Sequence, residues 1–163
     1  MISELDDVDR HILTLLQANA RVSQAEIARA VGLVPSAVLE RVRKLEARGV
    51  VREYVALLDP KVMDQRLLAF VAVRASETPG EDRVSVTLAA IPEVLEAHNV
   101  AGDDCVLLKV RARDPEHLSQ ILRERIGAVA GVQSTRTTIV LETIKESPRL
   151  PIESPAKRTG ASS

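Results

Sequence analysis

Residues 21–50, RVSQAEIARAVGLVPSAVLERVRKLEARGV, carry their own punctuation, and it spells two short helices joined by a tight turn. Ser23 followed three residues later by Glu26 is a capping box: the serine oxygen accepts a backbone N–H, and the glutamate reaches back to the serine's own. Ala25, Ile27, Ala28 and Val31 then supply a narrow apolar face of mostly small side chains, suited to a short helix lying close against its neighbours. Gly32 follows, where a left-handed backbone stops a helix without a Cβ penalty. Pro35 stands at the first position of the second helix, where its missing N–H is no loss. Val38, Val42 and Leu45 recur at helical spacing and face inward, leaving Ser36, Ala37, Glu40, Arg41, Arg43 and Lys44 around the remaining surface. Gly49 ends the helix.

Helix, glycine turn and helix describe both a DNA-reading helix–turn–helix and any other αα-hairpin. Two details favour DNA. Between Arg41 and Arg52 stand Arg41, Arg43, Lys44, Arg48 and Arg52 against Glu46 and Glu53, a local cationic cluster in a chain of formal net charge -1. Basic residues along a helix are also common as a solvated face, so the cluster is not decisive alone. Upstream, LDDVDRHILTLLQANA gives a helix with Asp6 and Asp9 in its opening turn and Val8, Ile12, Leu15 and Leu16 on one side, completing a three-helix unit. Small polar residues at the front of the second hairpin helix suit base edges in a major groove, and basic ones further along suit phosphates. On this reading Ser36, Ala37 and Glu40 face the groove and Arg41, Arg43 and Lys44 meet phosphates, with a second role open to Arg41 as an internal brace to a carboxylate.

Composition narrows the partners. Only Tyr54 and Phe70 are aromatic, whereas proteins that hold single-stranded nucleic acid or RNA loops stack bases on aromatic rings, so double-stranded DNA is the better fit. A hydrophobic fraction of 45% and mean hydropathy near zero indicate a folded chain, with no apolar run of membrane-spanning length and no cationic leader at its acidic start. A cytoplasmic location is the expectation. Cys105 is the single cysteine, which excludes an intrachain disulfide and a zinc–cysteine cluster. There is no nucleophile elbow, phosphate loop, dinucleotide fingerprint or metal-ligand cluster, and His11, His98 and His117 are scattered. Neither catalytic residues nor a metal nor a cofactor is expected.

The second half follows a different pattern. Residues 67–75, LLAFVAVRA, form an apolar run of strand length; TPGED is a turn into a helix carrying Val84, Leu88 and Ala89. After Pro92, EVLEAHNV suggests a less regular strand, AGDD a sharp loop and CVLLKVRA a strand. DPEHLSQILRERIGA opens a helix with Asp114 and Pro115 at good N-cap and N1 positions, and VQSTRTTIVLETI is a last strand after Gly131. The order β-α-β-β-α-β predicts a ferredoxin-like antiparallel sheet with two helices on one face, and the whole chain reads as α+β. The expected organisation is a helix–turn–helix domain over residues 1–59, a linker over 60–66, the ferredoxin-like domain over 67–146 and a flexible tail over 147–163, rich in proline and small polar residues.

LDDVDRHILTLLQANARVSQAEIARAVGL, SAVLERVRKLEARGVV, the pair Asp59–Pro60, PEV at 92–94, GD before LLKV, and GVQSTRTTIVLETIK resemble, in order and spacing, the Lrp/AsnC or feast/famine regulators. The resemblance extends to Lys145. It implies a winged-helix-like DNA-binding domain, and a C-terminal module of the RAM/AsnC type that binds small effectors, commonly amino acids. It also implies a homodimer assembling into tetramers or octamers. In relatives the effector lies between dimers against the loop after the second strand and residues of the last strand. Carried over residue by residue, the effector-binding set is Ala101, Gly102, Asp103, Asp104, Thr135 and Thr137.

This sequence departs from the family pattern at several of these places. Val34 stands where a serine cap is usual, Ala101 where threonine is frequent, Cys105 where a second loop aspartate is expected, and Asp64 where glycine is common. An amino-acid ligand needs an acceptor for its ammonium group, so the missing carboxylate must be replaced, with Asp104 the neighbouring candidate. AGDD as a plain tight turn stays open beside that reading. So do two other functions: a DNA-organising regulator without ligand, and an enzyme resembling the sirohaem decarboxylases, for which His98 is the one suggestive residue.

Overall fold

The computed structural model describes residues 5–76, 82–102 and 104–152. The chain divides into two compact units, one formed by Met1–Ala56 with Glu146–Ser163 and the other by Leu57–Lys145.

Three helices build the first unit. Helix α1 (Asp7–Ala18) starts at Asp6, whose carboxylate accepts the Asp9 N–H at 2.7 Å, and Asp7 and Asp9 complement the helix dipole. Helix α2 (Gln24–Val31) opens on the capping box at Ser23 and Glu26, and Gly32 closes it in the left-handed conformation, φ 72°. Helix α3 (Pro35–Ala47) follows after two residues. Ile12, Leu13 and Leu16 of α1, Ile27 and Ala28 of α2, and Val38, Val42 and Leu45 of α3 make a common core. Leu13 joins the α1 stripe expected from sequence, in which Val8 and Leu15 pack partly buried against the core, and Ala25 is exposed. An eight-residue helix turns only one short arc inward; Ile27 and Ala28 occupy it, and Val31 packs at its edge.

The second unit is a four-stranded antiparallel sheet. Strands β1 (Leu67–Ala75), β2 (Val94–Asn99), β3 (Val106–Ala112) and β4 (Val132–Ile139) lie in the order β2-β3-β1-β4, the ferredoxin-like arrangement. Helix α4 (Arg83–Ala89) and helix α5 (Pro115–Gln120) fill the two connections, the second continuing as a π-helical turn, Ile121–Ile126. Ala69, Val71 and Val73 of β1 and Val106, Leu108 and Val110 of β3 point into one core with Val84, Leu88, Leu118, Ile121 and Ile126. Alternation leaves Phe70, Ala72, Leu107, Lys109 and Arg136 on the opposite face.

The irregular strand read from EVLEAHNV has a cause: the β2–β3 register shifts between Val94 and Glu96. The last strand is shorter than expected. Val140 still donates to the Leu68 carbonyl at 2.9 Å, but β1 begins at Leu67, so residues 141–144 have run past their partner. At the junction Asp59 holds the Lys61 N–H at 2.8 Å and residues 60–64 form turns. Asp64 there has φ 53°, the one non-glycine with a positive φ among the described residues, which fits a site where glycine is the easier choice. The expected turn over residues 78–82 lies mostly outside the described residues.

A wholly flexible tail from Ser147 does not match the structure. Arg149 and Leu150 hydrogen-bond to α1, and Ile152 packs against the three-helix core, while residues 153–163 lie outside the described set. Among the described residues no helix is long and apolar enough to cross a membrane.

Candidate nucleic-acid interface and effector loop

The geometry of the hairpin starts with its caps. Glu26 accepts from the Ser23 hydroxyl at 2.7 Å and the Ser23 N–H at 2.9 Å, and these bonds, the hydroxyl's first, hold the Glu26 carboxyl below its ordinary pKa. Val34 offers no side-chain cap to α3, whose first turn contains no acidic residue. The start of α3 is therefore electropositive and open, with Ser36 exposed and Ala37 half-buried beside it.

Further along α3 the six surface residues separate into kinds. Arg43 is exposed. Lys44 is exposed too and pairs with Glu40 one turn earlier at 2.7 Å, which lowers the Glu40 pKa. Arg41 turns the other way: its Nη1 lies 2.7 Å from Asp6 Oδ2 and 2.8 Å from Asp9 Oδ1. Among the described residues Asp9 is the buried charged one, and Arg41 is its counter-ion. Asp6 is held below the usual carboxylate range, first by the Asp9 backbone N–H and then by Arg41. A surface ion pair of the Glu40–Lys44 type is weak and readily exchanged, whereas a guanidinium shared by two carboxylates is fixed. Arg43 and Lys44 are thus available to phosphates, and Arg41 is occupied within the fold.

Sequence reasoning did not find the fastening beyond α3. Tyr54 donates its hydroxyl to Glu46 Oε1 at 2.8 Å, and burial together with that carboxylate pushes the phenol pKa up to about 12. A tyrosine eight residues after a glutamate carries no periodic signal that would reveal this pair.

In the second unit Gly102 has φ 140°, a value that favours glycine, and Ala101 and Gly102 are exposed. Asp103 lies outside the described residues. Asp104 is half-buried and forms an ion pair with Arg136 Nη2. Cys105 is exposed; its N–H bonds to the Val73 carbonyl at 2.9 Å and its thiol to the Ala75 carbonyl at 3.5 Å, so it joins the loop to β1. Thr135 and Thr137 pair with Val73 and Val71, which puts them on the helix side of β4, an edge strand. Arg136 sits between them and points to the other face. The structure thus brings Asp104 to Arg136, not to the two threonines, and Arg136 is the residue that the sequence reading passed over. Its one available signal was a basic side chain isolated on the last strand.

His98 is exposed on the other edge strand, 3.4 Å from Glu96, which Lys109 also contacts at 2.9 Å. Among the described residues no group of histidine, cysteine and carboxylate side chains is placed to hold a metal.

A three-helix head with an exposed, basic second hairpin helix, carried on a chain with a separate helix-backed sheet, defines a DNA-binding regulator with an additional C-terminal module. Residues 5–52 match the winged helix-turn-helix DNA-binding family and residues 68–150 the Lrp/AsnC ligand binding domain family. The chain belongs to the Lrp/AsnC family of transcriptional regulators. It is 38% identical over 152 residues to the leucine-responsive regulatory protein of Escherichia coli strain K12, covering 92% of this chain and 93% of that one. It is 36% identical over 149 residues to the HTH-type transcriptional regulator FL11 of Pyrococcus horikoshii, covering 91% and 97%. Among solved structures, a feast or famine regulatory protein from M. tuberculosis complexed with L-methionine superposes with TM-score 0.84 at 39% identity, covering 92% of this chain and 100% of that one. A transcriptional regulator from Neisseria meningitidis in complex with L-Met superposes with TM-score 0.82 at 33% identity, covering 91% and 97%. The sirohaem-decarboxylase alternative is not favoured by any of these.

Proposed function

We propose that this regulator acts on cytoplasmic double-stranded DNA as a homodimer or a larger assembly of dimers, and that an amino acid or a related metabolite controls it. The observation that carries the effector reading is the Asp104–Arg136 pair, which joins the loop expected to bind ligand to strand β4. A zwitterion presents an ammonium and a carboxylate, and an aspartate beside an arginine presents the complement of each. Asp104 thereby supplies the acceptor that Cys105 does not, and Ala101 and Gly102 lead into it along the loop. Thr135 and Thr137, expected beside the ligand, lie on the opposite face of β4 from Arg136 and are left out of this site. The methionine complexes of two structural relatives make L-methionine the first compound to try.

Adding L-methionine and the other amino acids in turn to the protein, in a thermal-unfolding screen, should reveal one that raises Tm. A ligand at a hundred times its Kd adds about 2.7 kcal/mol to the folded state, a shift of several degrees for a domain of this size. Arg136→Ala should abolish that shift. No response to any amino acid would remove the effector and leave a DNA-organising protein.

On DNA, Ser36, Ala37 and Glu40 are the groove-facing positions and Arg43 and Lys44 the phosphate contacts, while Arg41 braces the head. Lys44 exchanges Glu40 for phosphate as the helix docks. Arg43→Ala and Lys44→Ala should each weaken binding to every sequence and lower the slope of log affinity against log salt by about one. A slope that does not move removes that residue from the interface.

The dimer reading rests on apolar surface. Leu57, Leu58, Val62 and Met63 precede β1 and are 53–80% exposed; Leu141 and Ile144 follow β4 and are 98% and 86% exposed. Ile139 pairs with Ala69 and Val140 with Leu68, so both segments flank one end of the sheet. Surface of this kind is covered by a partner in stable proteins, and a second copy supplies the same segments in return.

A further inference from the structure

We propose that residues 147–152 are a strap that clamps the end of α1 and gives the DNA-binding head a second attachment to the rest of the chain. The recognition is of backbone. Gln17 donates its Nε2 to the Leu150 carbonyl at 3.0 Å and accepts the Leu150 N–H on Oε1 at 2.8 Å, so one side-chain amide reads both polar groups of one residue. The Leu150 side chain itself is 75% exposed. Arg149 reaches the Ala18 carbonyl with Nη2 at 3.5 Å, at the end of α1 where helical carbonyls are without intrahelical partners. Ile152 adds its side chain to the core formed by Ile12, Leu16 and Ile27.

The sequence of the segment suits this use. Pro148 and Pro151 flank Arg149 and Leu150, restrict the backbone to extended forms before docking and offer no N–H of their own. The Arg149 N–H is taken by the Ser147 hydroxyl at 3.2 Å. Between the two prolines the Leu150 amide is thus the one left for Gln17, and little conformational entropy remains to be lost on docking.

The chain passes between its two units twice, once at residues 56–57 and again at 145–146. A head on one connection samples many orientations; closing a second connection removes most of them. The strap touches Gln17 and Ala18 of α1, and its hydrogen-bond partners include none of Ser36, Ala37, Glu40, Arg43 or Lys44. It therefore stays engaged while α3 is on DNA.

Hydrogen exchange of the intact protein, of Gln17→Ala, and of a chain ending at Glu146 tests the contact without any DNA. Loss of the two amide hydrogen bonds should speed exchange at residues 15–19 about tenfold in both variants, with Leu150→Ala behaving as the intact protein because its backbone is kept. Unchanged exchange in Gln17→Ala and in the shortened chain overturns the strap. The tethering role rests on the DNA-binding dimer proposed above and has its own readout. Moving two half-sites apart by about five base pairs, half a helical turn, should cost the intact protein about ten times more affinity than the shortened chain. Equal spacing penalties, with altered exchange, overturn the tethering role, as does a shortened chain that binds a lone half-site more tightly.

Discussion

Arg41→Ala is expected to destabilise the helix–turn–helix unit by about 2 kcal/mol, with a fall in Tm on the order of 10 °C for a unit of this size. Asp9 is 8% exposed, and Arg41 Nη1 is its counter-ion at 2.8 Å. Removing the guanidinium leaves a carboxylate in an apolar setting without a charge partner. The Asp6 side of the bridge contributes less, because its side chain is half exposed and water screens the pair. Arg41→Lys should recover only part of the loss, since one ammonium does not span two carboxylates as a guanidinium does. Acid unfolding gives a second check. The Asp6 carboxyl is depressed in the folded state, so its stabilising contribution is present above the unfolded value of about 3.9 and disappears as pH falls through the lower folded one. Without Arg41 that acid-side loss should shrink, although the Asp9 N–H keeps the larger share. Denaturant titration of Arg41→Ala, Asp9→Asn and the double variant measures the coupling. Unchanged stability with a salt slope lower by about one would return Arg41 to the phosphate contacts.

The legible parts of this molecule were those written in short-range chemistry. Ser23, Glu26, Gly32 and Pro35 each act on backbone within four residues, and the structure places every one as its local preference requires. The strand and helix order of the second unit was equally readable, because alternation and caps such as Asp114 are local. What could not be read depends on where distant segments meet. Arg41 reaches back over 30 residues of sequence to Asp6 and Asp9, and Arg136 over a similar distance to Asp104. Gln17 meets Leu150 across 133 positions. The end of β4 illustrates the same limit: residues 141–144 continue a strand-like pattern, and only the position of Leu67 at the start of β1 determines that no partner remains. Family resemblance supplied the expectation of a ligand loop at Gly102 and of two threonines near it. It did not supply the side chain between those threonines, whose ion pair depends on this chain's own Asp104.

Placing glutamate at both Leu141 and Ile144 is expected to dissociate the dimer proposed above and weaken binding to a two-half-site operator about a hundredfold. Those side chains are 98% and 86% exposed, so the exchange costs the folded monomer little, and any loss of DNA binding reflects lost assembly. Within a covering partner the same carboxylates would be stripped of water beside Leu57, Leu58, Val62 and Met63, a penalty of several kcal/mol per pair of chains. The hundredfold figure follows from linkage. When one head is bound, its partner meets the second half-site at an effective concentration near the millimolar range, and a monomer has no such second chance. Sedimentation should report a single chain, and titration at one fixed salt concentration should show the weaker binding, because phosphate contacts make affinity depend steeply on salt. Affinity for a lone half-site should remain as before, since α3 is untouched. If the doubly substituted protein keeps the mass and operator affinity of the parent, the apolar end of the sheet is not where the subunits join.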